Sequence, residues 1–290
     1  MKLFKFTFQA MTTPCEVQIY DNDEIKAINC FEEIKKHTYE LEKKYNFFDS
    51  KSYLNRIINN RKRNKISIDS QTYEILSLVK EISLKTRGVF DISVGTIKHC
   101  YNQNSLKDVN NCLFSLKDKM GIDSWYLKDN KLNFRFRETK LDLGGVIKEY
   151  SVDKAVSITK SYGIKSALIN FGGDLFAIGC KPDNEPFCIG IKNPEDKENN
   201  LLFVNISNQA LTTSANYERN KIIENVEFSH IISKEENKDE IISSTIISSS
   251  TLESGIFSTT FMINTECEII DNMKVVLIDK KLNLHQNLVD

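Results

Sequence analysis

The residues best suited to hold a phosphorylated ligand lie between Leu141 and Lys148, where the sequence reads Leu-Asp-Leu-Gly-Gly-Val-Ile-Lys. This pattern predicts a strand end, a double-glycine turn and a helix start. Glycines let the backbone approach a bulky ligand closely. The first turn of a helix offers free N–H groups and the positive end of the helix dipole, which suit a phosphate. Asp142 and Lys148 flank this opening with opposite charges, so the stretch predicts an anion site, although similar patterns also close ordinary loops.

Later stretches combine glycine, hydroxyl and charged residues in the same way. Residues 170–174 read Asn-Phe-Gly-Gly-Asp after a buried-type strand, and residues 213–219 read Thr-Ser-Ala-Asn-Tyr-Glu-Arg. His230 lies in a short predicted strand, and Thr259 lies in a late predicted helix. A half-buried structural histidine is the simpler interpretation of His230, and a hydroxyl bonded back to its own helix is the simpler one for Thr259. We expect Asp174 to stabilise its Gly-Gly turn.

The elements that must position these residues alternate irregularly. Strands over 2–9 and 15–20 precede a helix capped near Asp23, and a second helix opens at Ser70. Asp91, between apolar residues in a turn, favours a capping role over a ligand contact. Because strands outnumber helices and do not alternate with them regularly, the pattern predicts an α+β fold.

Composition excludes several classes of protein. The chain has 290 residues, of which 40% are hydrophobic and 27% charged, and its formal net charge is −1. That balance gives no electrostatic footprint for nucleic acid, and no window reaches the ~18 apolar residues of a membrane span. Seven cysteines without CxxC spacing predict reduced, mostly buried thiols in a cytoplasmic protein.

Taken in order, the stretches resemble the ApbE-like family of FAD:protein FMN transferases, formerly called thiamine biosynthesis lipoproteins. The resemblance covers nearly the whole chain. The matching stretches are 11–13 (Met-Thr-Thr), 90–95 (Phe-Asp-Ile-Ser-Val-Gly), 142–148 (Asp-Leu-Gly-Gly-Val-Ile-Lys), 170–174, 213–219 and 230–232 (His-Ile-Ile).

The resemblance implies an ApbE-like fold of mixed or antiparallel sheets with packed helices and an FAD cleft. Residues 1–290 would form a single flavin transferase domain, or two intimate subdomains with FAD between them. FAD would be the substrate and Mg²⁺ the cofactor. A threonine hydroxyl of a partner flavoprotein would attack the phosphorus nearer riboflavin, so that FMN becomes esterified and AMP leaves.

The resemblance also implies roles for individual residues. The FAD site would be formed by Met11, Phe48, Val89, Phe90, Asp91, Asp142, Lys148, Ser214, Tyr217, His230 and Ile231. The backbone carbonyl of Gly145 and the hydroxyl of Thr259 would bind the metal. His230 and Thr259 would be the catalytic residues, with His230 as proton acceptor or as a group that orients the phosphates.

Departures from the family pattern leave an alternative open. Gly255 stands where the family carries Asp, four residues before Thr259, so an anionic ligand for a hard cation is missing. Glu149 and Ala215 each replace a usual glycine, and Ser233 follows the His-Ile-Ile motif in place of Asp. The alternative is an FAD-binding relative with weak or lost transferase activity, acting as FAD holder or FAD pyrophosphatase.

Other functions fit the sequence less well. In a non-enzymatic interaction module the glycines would only shape turns, and flavin that copurifies with the protein would eliminate it. A dinucleotide oxidoreductase of the Rossmann kind is disfavoured, because residues 172–174 lack GxGxxG spacing and regular strand–helix alternation is missing.

Overall fold

Helices and antiparallel strands build this chain, which confirms the predicted α+β class. The computed structural model describes residues 1–196, 198–215, 220–224, 226–229, 241–270 and 272–288. In chain order the strands are β1 (Lys2–Ala10), β2 (Thr13–Asp21), β3 (Lys65–Ser67), β4 (Trp125–Lys128), β5 (Lys131–Phe134), β6 (Ala167–Phe171), β7 (Asp174–Ile178), β8 (Phe187–Lys192), β9 (Asn200–Ile206), β10 (Gln209–Ala215), β11 (Asn220–Ile223), β12 (Val226–Ser229), β13 (Ile241–Ser248), β14 (Lys274–Asp279) and β15 (Leu284–Gln286). The helices are α1 (Glu24–Tyr45), α2 (Ser70–Lys85), α3 (Leu106–Leu116), α4 (Ile147–Ser161) and α5 (Thr251–Ile263), with short helical segments at Leu54–Asn59, Ile92–Thr96, Lys98–Asn102, Lys117–Lys119, Ile122–Ser124 and Pro182–Asn184.

One large sheet organises the molecule, in the strand order β1-β2-β6-β7-β10-β13-β14-β15. Smaller sheets are formed by β3-β5-β4, by β8-β9 and by β11-β12. Every pairing between described strands is antiparallel. Neighbouring strands therefore reverse direction, and the turns between them collect at the two edges of the sheet.

The hydrophobic core lies on both faces of this sheet, because successive strand residues point to opposite sides. In β6, Ile169 packs with Phe31 of α1 and Val152 of α4 on one face. Its neighbour Leu168 packs on the other face, against Phe187 of β8. Burial of each such side chain contributes about 1.5–3 kcal/mol, so the face that carries Ile169 holds α1 and α4 against the sheet.

Local sequence signals explain where several elements begin and end. The side chain of Asp23 accepts the Lys26 N–H at 3.0 Å and caps α1, as predicted. The stretch 126–136 predicts a hairpin about Asp129-Asn130, and the β4–β5 hairpin turns at these two residues, both at φ 54°. The Ser- and Thr-rich stretch 243–251 predicts a strand that leads to a helix cap, and β13 spans Ile241–Ser248. The Ser250 side chain accepts the N–H of Glu253 and caps α5, which confirms the predicted cap.

The prediction of reduced, mostly buried cysteines is wrong. Cys100 and Cys112 form a disulfide with a Cα–Cα distance of 5.4 Å. Of the free cysteines, Cys15 and Cys30 are buried, Cys180 and Cys267 are half-buried, and Cys188 is exposed. Sequence spacing alone did not reveal the pair, because α3 brings Cys112 back against the Lys98–Asn102 segment. A cytoplasmic location, inferred from reduced thiols, stays a prediction.

Within the part of the chain that the structure describes, no helix has both the length and the apolar character needed to cross a bilayer.

Candidate functional site

The predicted site residues converge because the antiparallel order brings several strand ends to one edge of the large sheet. Ala10 of β1 pairs with Thr13 of β2, and Phe171 of β6 pairs with Asp174 of β7. Cys15 of β2 pairs with Phe171, and Leu175 pairs with β10, whose last residues run on past β7 to Ala215. The Met-Thr-Thr turn, the Gly-Gly-Asp turn and Ser214 therefore lie at the same edge.

The turn that holds Met11 packs directly on the turn that follows β6. Met11 has φ 51°, and its N–H donates to Glu42 Oε1 at 2.7 Å. Gly172 N–H donates to the carbonyl of Pro14 at 2.9 Å. A Cβ atom on Gly172 would lie 1.9 Å from Thr13 Oγ1, so only glycine allows the two turns to approach this closely.

A second group of predicted residues surrounds Asp142. Its Oδ1 accepts the N–H of Gly144 at 2.9 Å, and its Oδ2 forms an ion pair with Lys98 Nζ. Lys98 Nζ also lies 4.8 Å from the ring centroid of Phe48 and 5.1 Å from that of Phe47. The Phe48 side chain is 82% exposed. An exposed aromatic ring next to a charge cluster can contact a planar ligand, and Lys98 joins the group as a residue that sequence reasoning missed.

The Val89-Phe90-Asp91 turn serves mainly as structure in the described part of the chain. Val89 and Phe90 are buried, and the Phe90 ring lies 3.8 Å from where a Cβ on Gly145 would be. Asp91 Oδ1 accepts the Ser93 N–H at 2.9 Å and caps the segment that begins at Ile92. Burial raises the pKa of Asp91. The carboxylate is thus directed at its own turn, and a flavin contact of this turn stays a prediction.

The start of α4 carries a compact group of charges. Val146 at the N-cap offers no side-chain acceptor to the first N–H groups of the helix. Lys148 Nζ lies 2.6 Å from Oδ2 of the buried Asp174. Asp174 therefore supports the lysine, while the Gly-Gly turn is held by Asn170, whose Oδ1 accepts the N–H of Gly173 at 2.8 Å. The ammonium and the helix N-terminus place positive charge at this opening, which suits a phosphate, while Asp174 offsets part of that charge.

Glu149 follows Lys148 and is only 6% exposed. Burial and, second, the negative charge of Asp174 raise the pKa of Glu149 to about 8. Its Oε2 has no hydrogen-bond partner among the described residues. The sequence marked Glu149 only as a departure from the family pattern, because burial at the helix start depends on what packs over it.

Helix α5 is the element that packs over this helix start. Asp153 Oδ1 accepts the N–H of Thr251, and the Glu149 side chain lies against Gly255, where a Cβ would be 2.5 Å from Glu149 Cγ. Asp153 of α4 faces Thr251 of α5, and Glu149 of α4 faces Gly255 of α5. Residue numbers thus fall along α4 as they rise along α5. The helices are therefore antiparallel, so the N-terminal end of α4 faces the C-terminal half of α5, which carries Thr259.

The hydroxyl of Thr259 lies among other hydroxyls. Ser214 Oγ at the end of β10 lies 3.2 Å from Thr259 Oγ1 and 2.8 Å from Ser258 Oγ. The next residue, Thr260, is buried and donates back to the carbonyl of Ile256. Back-bonding, the simpler interpretation offered for Thr259, is thus found at its neighbour, while Thr259 contacts Ser214.

Three predicted residues, Tyr217, His230 and Ile231, lie outside the described residues, as does Ser233. Their roles stay predictions. β10 ends at Ala215 and β12 ends at Ser229, directly before them.

Comparisons with known proteins agree with this arrangement. A sequence model described as the ApbE family matches residues 11–275. The FAD:protein FMN transferase of Buchnera aphidicola is 24% identical over 246 residues, a match that covers 77% of this chain and 71% of that protein. The crystal structure of the ApbE protein from Thermotoga maritima superposes with a TM-score of 0.86 at 20% identity, covering 98% of this chain and 97% of that one. The flavin transferase ApbE from Vibrio cholerae superposes with a TM-score of 0.81 at 18% identity, covering 99% and 96%. Since the family match includes the glycine turns, α4, α5 and nearly the whole sheet, this chain belongs to the ApbE family.

Proposed function

We propose that this protein is an FAD:protein FMN transferase, which moves FMN from FAD to a threonine hydroxyl of a partner flavoprotein with Mg²⁺ assistance and releases AMP. The observation that supports the proposal is the packing of α5 across the start of α4, where Glu149 lies against Gly255, together with the contact of Thr259 in α5 with Ser214 of β10. The name of the Buchnera relative supports the same activity.

The proposed reaction is a displacement at phosphorus. The acceptor threonine oxygen forms a bond to the phosphorus nearer riboflavin, the bond from that phosphorus to the bridging oxygen breaks, and AMP leaves with the electron pair. A proton must leave the threonine hydroxyl, because a neutral hydroxyl is a poor nucleophile. We assign that proton to His230. Lys148 and the positive end of the α4 dipole would stabilise the negative charge of the diphosphate.

The residues present fit a hard divalent cation such as Mg²⁺. The donors near the end of α5 are oxygens, and the buried Oε2 of Glu149 is an acceptor without a hydrogen-bond partner among the described residues. Mg²⁺ selects oxygen ligands. The carbonyl of Gly145 and the hydroxyl of Thr259 would hold it. Bound there, the cation would supply positive charge next to the diphosphate, which lowers the repulsion that an incoming oxygen meets.

The flavin would bind at the edge of the sheet between the predicted groups. Phe48 and Met11 offer apolar contact, and Asp142 offers a carboxylate held by Lys98. Ser214, at the end of β10, would contribute a hydroxyl, and Tyr217 and Ile231 stay predicted contacts. The exposure of Phe48 supports this role, because an unliganded apolar ring on the surface gains from contact with a ligand.

The test is to incubate the full-length protein with FAD, Mg²⁺ and an acceptor domain that carries the target threonine. We expect the acceptor to gain the mass of one FMN and AMP to appear in equal amount. An acceptor with valine in place of the threonine is the control and should stay unmodified. Release of FMN and AMP without modification of the acceptor would indicate an FAD pyrophosphatase, and tight FAD binding without turnover would indicate an FAD holder. Either result overturns the proposal.

A further inference from the structure

The carboxylate of Glu149 is buried, and the described residues do not provide a hydrogen-bond donor for its Oε2. Glu149 is only 6% exposed. A buried carboxylate oxygen without a partner costs free energy unless something binds it. The feature therefore indicates a ligand with positive charge or with donor groups.

The charged groups around Glu149 do not neutralise one another. Asp174, a second buried carboxylate, lies next to Glu149, and the one described ammonium close to them is that of Lys148, at 2.6 Å from Asp174 Oδ2. Two carboxylates thus face one lysine in a buried place. A divalent cation would offset the negative charge of the two carboxylates and would bind their oxygen atoms directly.

The position of Glu149 identifies where such a cation would lie. A Cβ on Gly255 would be 2.5 Å from Glu149 Cγ and 3.2 Å from its Cδ, so the glutamate fills the space that a side chain at position 255 would enter. Thr259, one helical turn along α5 from Gly255, presents its hydroxyl 3.2 Å from Ser214 Oγ. The carboxylate thus lies one turn of α5 away from the threonine hydroxyl.

The two sequence departures noted at positions 149 and 255 are therefore one structural feature. A carboxylate is absent from α5 at Gly255, and a carboxylate is present on α4 at Glu149, within the same space between the helices. The two positions are coupled, because a Cβ at position 255 would lie 2.5 Å from Glu149 Cγ and the glutamate would have to move.

We propose that Glu149 is the anionic ligand of the divalent cation at this site, reaching from α4 into the space in front of Gly255. The assignment rests on the proposed function for the use of the cation, but cation binding itself can be measured without any turnover. The absence of an aspartate at Gly255 suggested a relative with weak or lost transferase activity. With Glu149 as ligand, the anionic oxygen would come from α4 instead of α5, and the metal site would be complete.

The test measures binding of Mn²⁺, as a probe for Mg²⁺, by electron paramagnetic resonance of the free ion, with and without FAD. Glu149→Gln keeps the shape of the side chain and removes the charge, and we expect it to weaken Mn²⁺ binding about tenfold or more. The double variant Glu149→Gly/Gly255→Asp moves the carboxylate to α5 and should recover affinity to within about threefold of the unmodified protein. Glu74→Gln is the control, because Glu74 accepts from Tyr150 and Lys154 at the surface and should leave the affinity unchanged.

Each outcome decides the assignment. Unchanged Mn²⁺ affinity in a folded Glu149→Gln variant would overturn it and would identify Glu149 and Asp174 as a carboxyl pair that shares a proton. Failure of the unmodified protein to bind Mn²⁺ with or without FAD would also overturn it. If the double variant does not fold, Glu149→Gln alone carries the test. Loss of Mn²⁺ affinity in Glu149→Gln, in a protein that never labels an acceptor, would sink the proposed transferase function while the ligand assignment stands.

Discussion

The carboxylate of Asp153 in α4 accepts the backbone N–H groups of Thr251 and Leu252 at 2.7 and 2.9 Å. These N–H groups belong to the first turn of α5, where a helix has no acceptors of its own. Asp153 of α4 thus caps α5. The N–H of Glu253 has its own local cap, the side chain of Ser250. The Asp153 contact determines where Gly255 and Thr259 lie relative to α4.

We therefore expect Asp153→Ala to lower the free energy of unfolding by about 1–3 kcal/mol, because two buried N–H groups lose their acceptor. Urea denaturation measures this change. Asp108→Ala is a suitable control, since Asp108 accepts the exposed Ser105 hydroxyl and its removal should change stability by less than about 0.5 kcal/mol. Equal losses in the two variants would contradict the role given to Asp153.

Loss of Lys148 should affect stability as well as ligand binding. Lys148→Met leaves the buried Asp174 without its ion-pair partner and should cost about 3 kcal/mol in urea denaturation. The double variant Lys148→Met/Asp174→Asn removes both charges and should recover most of that stability, while FAD affinity stays low. Lys154→Met, which removes the partly exposed pair with Glu74, is the control and should cost less than about 1 kcal/mol. Full FAD affinity in the double variant would show that Lys148 does not contact the diphosphate.

The contact between the Met11 turn and the Gly172 turn predicts a severe effect of a single methyl group. Gly172→Ala should destabilise the protein by more than about 2 kcal/mol, since the new Cβ would collide with Thr13 at 1.9 Å and φ is +64°. Gly163→Ala is the matched control, because Gly163 has φ +71° but no atom within 4 Å of an added Cβ. Thermal unfolding should separate the two variants clearly; a similar loss in both would mean that backbone conformation alone, without the collision, explains the effect.

Phe48 allows binding to be tested without disturbing the fold. Because its side chain is 82% exposed, Phe48→Ala should change the free energy of unfolding by less than about 0.5 kcal/mol. We expect the same variant to weaken FAD binding about tenfold, the loss of roughly 1.4 kcal/mol of aromatic contact. Fluorescence titration with FAD measures the affinity. Phe114→Ala, another exposed phenylalanine at 89% exposure, should leave FAD affinity unchanged. A Phe48→Ala variant with normal affinity would remove this ring from the flavin site.

Local patterns in the sequence predicted much of the architecture correctly. The helix that Asp23 caps, the hairpin at Asp129 and Asn130, and the glycine turn before α4 all depend on residues that are near one another in the chain. Such features are encoded by turn chemistry and by hydrophobic periodicity. The match of ordered motifs likewise pointed to the ApbE family before any geometry was known. The strand predicted to end at Leu141–Leu143 is wrong, because the N–H of Leu141 donates to Asn59 Oδ1 and that of Asp142 to the carbonyl of Ile92 instead of to a neighbouring strand.

Contacts between distant segments could not be predicted in this way. The disulfide between Cys100 and Cys112, the Lys98 ammonium beside Phe48, and the ion pair of Lys148 with Asp174 each depend on how elements pack. The missing carboxylate at Gly255 looked like a lost ligand when the chain was considered in order. Only the packing of α4 against α5 revealed that Glu149 fills the same space. Residue types and spacing determine which groups a chain possesses, whereas the register between helices that are far apart in sequence decides which of them meet.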